Sequence, residues 1–205
     1  MFSKKQEELI LVGIEIGKEL RNVEYKGSVS WNDDNPRQKI IKSMLAMANI
    51  RDGGSVIIGV EQKKGGTFEL TGMTQGDFDS FNYDTISAVV AEFADPYVTF
   101  SLTKGELQGK RIVIIDVEEF QDIPVICKKD GSLLKRGKLY TRGVRVPESV
   151  EVPSQTEMRE ILDIAIEKGT RKFLRSISRA GIALKEPEKN TDIELFEKQL
   201  KEVTK

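Results

Sequence analysis

Apolar residues recur every three or four positions over residues 4–20, where Leu9, Val12, Ile16 and Leu20 share one stripe. They recur again over 40–48, through Ile40, Ile41, Met44, Leu45 and Ala48. Both stretches are expected as helices, the second opened by Asn35 as cap and Pro36 in its first turn. A short strand is expected between them at 23–25. At A-N-I-R-D-G-G-S-V-I-I-G-V, residues 48–60, the helical pattern stops, two glycines turn the chain and a β-branched run begins. Gly53 and Gly54 suit the left-handed backbone that ends a helix and allow close approach of another chain segment. Asn49, Gly53, Gly54 and Gly59 therefore stand out as the structural motif of a helix-to-strand joint.

Further on, 61–72 reads as a hairpin turning at Gly65 and Gly66, and 78–93 as a helix with Ile86, Val89, Val90 and Phe93 inward, ended by Asp95-Pro96. Strand patterns follow at 97–103, 111–117 and 125–127, with a further extended piece at 139–146. S-Q-T-E at 154–157 is a capping box opening a helix with the stripe Met158, Ile161, Leu162 and Ala165, broken near Gly169. A second box, T-D-I-E at 191–194, precedes a narrow apolar edge of Ile193, Phe196, Leu200 and Val203. Residues 185–190 read as a linker. Helix and strand patterns alternate early and strands cluster late, which favours an α+β domain: a mixed β-sheet packed with helices over 1–168, and a C-terminal helical extension over 169–205.

At 205 residues, 39% of them hydrophobic, the chain suffices for one well-buried domain. Its formal charge of −1 provides no global field towards nucleic acid, so such binding requires a local basic patch. Absence of histidine excludes a His general base, a Ser-His or Cys-His nucleophile and His-ligated zinc. A single cysteine, Cys127, excludes an internal disulfide or a cysteine metal cage and points to a reducing compartment. The opening M-F-S-K-K-Q-E-E-L lacks the pattern of a signal peptide, and no apolar run approaches the roughly 18 residues of a membrane span. A cytoplasmic location without membrane contact is expected.

Chemistry is thus left to carboxylates, Lys, Arg and hydroxyls. Glu24 and Lys26 flank Tyr25 on one strand and so share a face, an arrangement suited to metal-assisted phosphodiester cleavage; an ordinary ion pair is the plainer reading. Glu19, Glu24 and Glu61 fall at the ends of consecutive elements, from which three carboxylates can converge on a hard cation or remain solvated. A second candidate is cationic. Arg171, Arg175 and Arg179 recur every four residues beside Lys172, while Lys128, Lys129, Lys135, Arg136, Lys138, Arg142 and Arg145 crowd the late strands. Such patches hold phosphate backbones, or are solvated faces balanced by nearby acids. Tyr140 suits base stacking or the core. The glycine-rich joint precedes a strand and matches neither G-x-G-x-x-G nor a Walker A loop, so nucleotide binding is not expected.

In order and spacing, E-L-R-N-V-E-Y-K, A-N-I-R-D-G-G-S-V-I-I-G-V-E, P-V-I-C-K-K-D-G and Y-T-R-G resemble the Schlafen AlbA-like domain over about residues 19–146. The resemblance implies an α+β fold that binds nucleic acid, RNA of tRNA type or DNA. Its catalytic form is a metal-dependent endoribonuclease that cleaves structured RNA. Carried over, the metal-binding acids fall on Glu19, Glu24 and Glu61, holding Mg²⁺ or Mn²⁺, with Glu61 where the family usually has aspartate. In a nucleic-acid-binding reading Lys26 would assist at the scissile phosphate, and Lys26, Arg142 and Arg145, with Arg171, Arg175 and Arg179 of the basic stripe beyond the resemblance, would seat the backbone. The alternative is a non-catalytic DNA-binding, regulatory or protein-interaction module. With one lobe where the animal Schlafen core has two, the resemblance also implies a homodimer, for which the Ile193, Phe196, Leu200 and Val203 edge is a candidate contact.

Overall fold

The computed structural model describes residues 2–181. The terminal edge at 193–203, its capping box and the 185–190 linker lie outside these described residues. The chain divides into two compact units, Met1–Lys168 and Gly169–Lys205. The fold is α+β.

The first unit centres on a four-stranded mixed sheet. Strand β1 (Val23–Lys26) runs parallel to β2 (Gly54–Ile58). In turn, β2 is antiparallel to β7 (Lys110–Val117), and β7 to β6 (Phe100–Leu107). Alternation along each strand separates two apolar layers. Val23 and Tyr25, Ile57, Ile112 and Ile114 face α1 (Lys4–Ile16), together with Phe2, Ile10 and Phe68. Val56 and Ile58, Val113 and Ile115 face the larger layer built on α2 (Asp34–Ala48) and α4 (Tyr83–Phe93). Glu24 and Lys26, out of phase with Val23 and Tyr25, therefore point to the α2 side.

Smaller elements close the ends. β3 (Val60–Gln62) and β4 (Phe68–Leu70) form the expected hairpin around Gly65 and Gly66; β5 (Ala94–Asp95) pairs with β8 (Ile126–Cys127), and β9 (Tyr140–Arg142) with β10 (Ser149–Glu151). Short α3 (Gln75–Ser80) precedes α4, and α5 (Gln155–Arg179) ends the described chain.

Several boundaries differ from the sequence expectation. α1 stops at Ile16 because Gly17 takes the left-handed conformation (φ 66°), so Leu20 and Glu19 leave the helix. Its inward positions are Ile10 and Gly13, with Ile16 exposed, because the Tyr25 ring lies against Gly13, where an added Cβ would come within 2.1 Å of the phenol oxygen. The 78–93 helix is divided at Asn82, whose side-chain oxygen accepts from the backbone N–H groups of Asp84 and Thr85 and starts α4 anew. α5 passes Gly169 unbroken and turns Ile161 and Ile164 inward, leaving Met158 and Leu162 exposed. Among the described residues, no helix is long and apolar enough to cross a membrane.

The glycine joint follows the expected logic. Gly53 sits at φ 69° with its α-carbon so near β7 that a Cβ would lie 2.0 Å from the Val117 carbonyl oxygen. Asn49, fully buried, donates from its amide to the carbonyls of Val125 (2.8 Å) and Tyr140 (2.9 Å) and accepts from the Val125 N–H (2.8 Å). One side chain at the end of α2 thus fixes both the proline-led segment and β9.

Candidate functional site

Two places on the first unit concentrate charge, one buried and one exposed. The buried one begins with Glu24 on β1, which meets Ser43 on α2, Arg142 on β9 and Ser149 on β10. Arg142 is 1% exposed and its guanidinium is fully engaged. Nη1 donates to Glu24 Oε2 (2.8 Å) and to Ser149 Oγ (3.3 Å), Nη2 to the Val23 carbonyl (3.1 Å) and Glu19 Oε2 (3.5 Å), and Nε to the Arg21 carbonyl (3.0 Å). Glu24 Oε2 also accepts from Ser43 Oγ (2.5 Å) and Ser149 Oγ (3.2 Å), while its other oxygen is held by the Lys26 ammonium. Glu19 Oε1 accepts the Tyr25 backbone N–H at 3.1 Å.

The two acids respond oppositely to this shared environment. Burial pushes Glu24 up, but Lys26, Ser43 and Arg142 outweigh it and hold the carboxyl below its usual range. At Glu19 burial prevails over the Tyr25 N–H and Arg142, and the pKa is raised. Burial, assisted by Glu19, also pushes the Tyr25 phenol up to about 12; its hydroxyl donates to the Leu9 carbonyl at 2.6 Å and ties β1 to α1. Arg21 extends the lock, gripping Glu160 of α5 through both carboxylate oxygens at 2.7 Å while its Nε donates to the Arg142 carbonyl.

Of the expected metal trio, the structure brings Glu19 and Glu24 together and leaves Glu61 out. Glu61 lies beside Gly27, but its exposed carboxylate pairs with Lys63 at 2.7 Å. Among the described residues, no three acids are grouped so as to hold a metal ion. Both Glu24 oxygens already serve cations and hydroxyls, so this donor set fits a guanidinium and does not fit Mg²⁺ or Mn²⁺. Lys26 is bound to Glu24, not directed to solvent. Arg142, expected at a phosphate-binding surface, is buried because the strand carrying it is clamped by Asn49 and turned towards Glu24. Ser43 and Ser149 were not singled out in the sequence. The signal for Ser43 was the one hydroxyl in the 40–48 stretch, beside Lys42 and among apolar residues; Ser149 offered none.

The exposed charge lies on the loop from β8 to β9, residues 128–138, which carries five cations and one acid. Buried Leu134 anchors it, and the Tyr140 hydroxyl accepts the Lys135 N–H at 2.9 Å. The Gly137 N–H donates to the Cys127 carbonyl (2.7 Å), and the Arg136 N–H to Asp130 (2.9 Å). Lys129 pairs with Glu92 and Lys138 with Glu151. Lys128, Lys135 and Arg136 are exposed and have no carboxylate partner among the described residues. Tyr140 is a core residue, with the Lys42 ammonium 5.4 Å from its ring centre. Arg145 is exposed on the turn from β9 to β10, and Arg171, Arg175 and Arg179 are exposed along the last turns of α5.

A family model described as Schlafen, AlbA_2 matches residues 19–145. Among solved structures, the DIP2311 protein from Corynebacterium diphtheriae is similar over 77% of this chain and 29% of its own, at 17% identity and a TM-score of 0.48. The N-terminal domain of a RecG-related protein from Nitrosomonas europaea is similar over 66% of this chain and 89% of its own, at 17% identity and a TM-score of 0.44. The chain therefore spans less than a third of the first of these proteins. No curated protein matches it.

Proposed function

The chain belongs to the Schlafen, AlbA_2 family, and from that premise we propose that it is a nucleic-acid-binding module that holds the phosphate backbone on the rigid 128–138 loop. The observation that carries this reading is the set Lys128, Lys135 and Arg136: three exposed cations, unbalanced by acids, on a loop whose backbone is pinned at Leu134, Gly137 and Tyr140. Fixed cations of this kind bind phosphates without reading sequence, so RNA and DNA are both ligands. Arg145 and Lys42 are further contacts available to a bound strand. No cleavage step is assigned to Glu19, Glu24 and Glu61, because Glu24 is saturated by Lys26 and Arg142 and Glu61 is paired elsewhere.

The test is binding of fluorescent tRNA and of duplex DNA over a salt series, for the native chain and for the Lys128→Ala, Lys135→Ala, Arg136→Ala triple variant. Each phosphate contact contributes roughly 0.7–0.9 to the slope of log affinity against log salt, so the triple variant should lose about 2–3 units of slope. An unchanged slope would remove the loop from the interface.

A further inference from the structure

The two edges of the four-stranded sheet differ in how their backbone groups are used. On the outer side of β1 the Val23 N–H donates to the Leu20 carbonyl (3.0 Å), the Tyr25 N–H donates to Glu19 (3.1 Å), and the Val23 carbonyl accepts from Arg142 (3.1 Å), so that edge is closed. On β6 the outer side is open. Gln108 and Gly109, both at positive φ (50° and 71°), make a two-residue turn to β7 and set Leu107 and Lys110 as a hydrogen-bonded pair. Bonding to β7 then falls to Leu107, Gly105, Thr103 and Ser101, a phase that continues into the Thr99 carbonyl, which accepts the Glu118 N–H at 2.9 Å. The N–H and C=O groups of Phe100, Leu102, Lys104 and Glu106 point away from β7, and none of these eight has a partner among the described residues.

The usual guards of an open edge are missing here. β6 contains no proline and no bulge, and it pairs without interruption from Phe100 to Leu107. Its one lysine is drawn inward: Lys104 Nζ donates to the Phe81 carbonyl at 3.0 Å and lies 4.3 Å from the centre of the Phe78 ring.

A second β6 laid antiparallel on this edge uses all eight groups in one register, with the two-fold axis at Thr103. Leu102 then exchanges both bonds with the partner's Lys104, and Phe100 with the partner's Glu106. Ser101 stands opposite the partner's Gly105, and Thr103 opposite the partner's Thr103, a threonine pair of the kind that stabilises neighbouring strands. No like charges are set directly opposite, and each residue meets one on the same face of the sheet, so the two apolar layers continue across the joint. Moving the axis to Lys104 sets that lysine against itself and leaves Phe100 without a partner.

We propose that the open edge of β6 docks on a second copy of this chain, joining the two four-stranded sheets into one continuous sheet through an isologous antiparallel pair. The self-matching register selects the occupant. The contact lies wholly within Met1–Lys168 and is independent of the nucleic-acid reading.

The full chain is to be examined by sedimentation equilibrium from about 1 to 100 μM without nucleic acid. The expected result is a dimer. Lys104→Pro and Glu106→Pro each remove an N–H that β7 does not use, so the circular-dichroism spectrum should stay unchanged while the dimer weakens about tenfold or more. The register has its own control, which also decides the matter if a proline variant fails to fold. Thr103→Cys, on the axis, should cross-link the dimer in oxidised glutathione, because directly opposed Cα atoms about 4.5 Å apart are within disulfide reach. Ser101→Cys, set off from its counterpart along the strand, should not, and the native chain with its buried Cys127 is the blank. A native chain that is monomeric throughout would overturn the proposal. So would a dimer indifferent to both proline variants, or cross-linking of Ser101→Cys as fast as that of Thr103→Cys.

Discussion

Replacing Arg142 by alanine removes a buried guanidinium whose five contacts join β1, β9, β10 and the segment before β1. The carbonyls of Val23 and Arg21 each lose a donor, a loss of about 1–3 kcal/mol for a buried group left unpaired. Glu24 keeps Lys26 and Ser43, so its charge is only partly abandoned, while Glu19 keeps the Tyr25 N–H. Breaking a buried ion pair from one side costs roughly 3–5 kcal/mol, and the retained partners place Arg142→Ala within that range, not above it. For a chain of this size, that corresponds to a fall in Tm of roughly 6–20 °C. Urea unfolding followed by circular dichroism measures the change, with Glu24→Gln and the double variant completing a cycle. The double variant should cost clearly less than the sum of the singles, because Glu24 and Arg142 are in contact. A loss under about 1 kcal/mol for Arg142→Ala, or strict additivity, would refute the description of this centre as a structural lock.

Asn49→Ala removes three buried hydrogen bonds and orphans the Val125 N–H and the carbonyls of Val125 and Tyr140. A loss of about 2–4 kcal/mol is expected in the same urea assay, and one within 0.5 kcal/mol would contradict the clamp. Acid titration should separate the two glutamates. Glu24 has a lowered folded pKa, so its ionised form contributes stability that is fully present above its unfolded value of about 4.5 and is lost as pH falls through the folded one. Glu19 has a raised pKa, and the cost of ionising it is relieved as pH falls through that higher value. Urea midpoints from pH 7 to 3 should therefore show the loss below the ordinary carboxylate range diminished in Glu24→Gln. An equal loss in native and variant chains would contradict the assignment.

Much of the fold was legible because the relevant patterns are local. The 40–48 stripe, the Gly53-Gly54 turn and the continuous run of β7 each specify an element without reference to the rest of the chain. The sharing of one face by Glu24 and Lys26 followed from strand alternation alone. What the sequence did not convey were facts about partners. The inward face of α1 is Ile10 and Gly13, because a ring from β1 occupies the place a larger side chain would need. Asn82 divides a helix whose apolar period continues across it. Arg142 reads as one more cation in a basic stretch, and only the pairing of β9 with β10 and the hold of Asn49 reveal that it points inward to Glu24. Likewise, the three acids at element ends are close in the chain's topology, yet Lys63, two residues beyond Glu61 on the same face, captures that carboxylate.

The most direct test of the central claim is the incubation of purified protein with labelled tRNA, with excess chelator and with Mn²⁺ or Mg²⁺, reading anisotropy and fragment pattern from the same samples. The expected result is binding that persists in chelator, with intact RNA under both conditions. Discrete fragments that require the divalent ion and vanish in Glu24→Gln would contradict it and make Glu24 a catalytic residue.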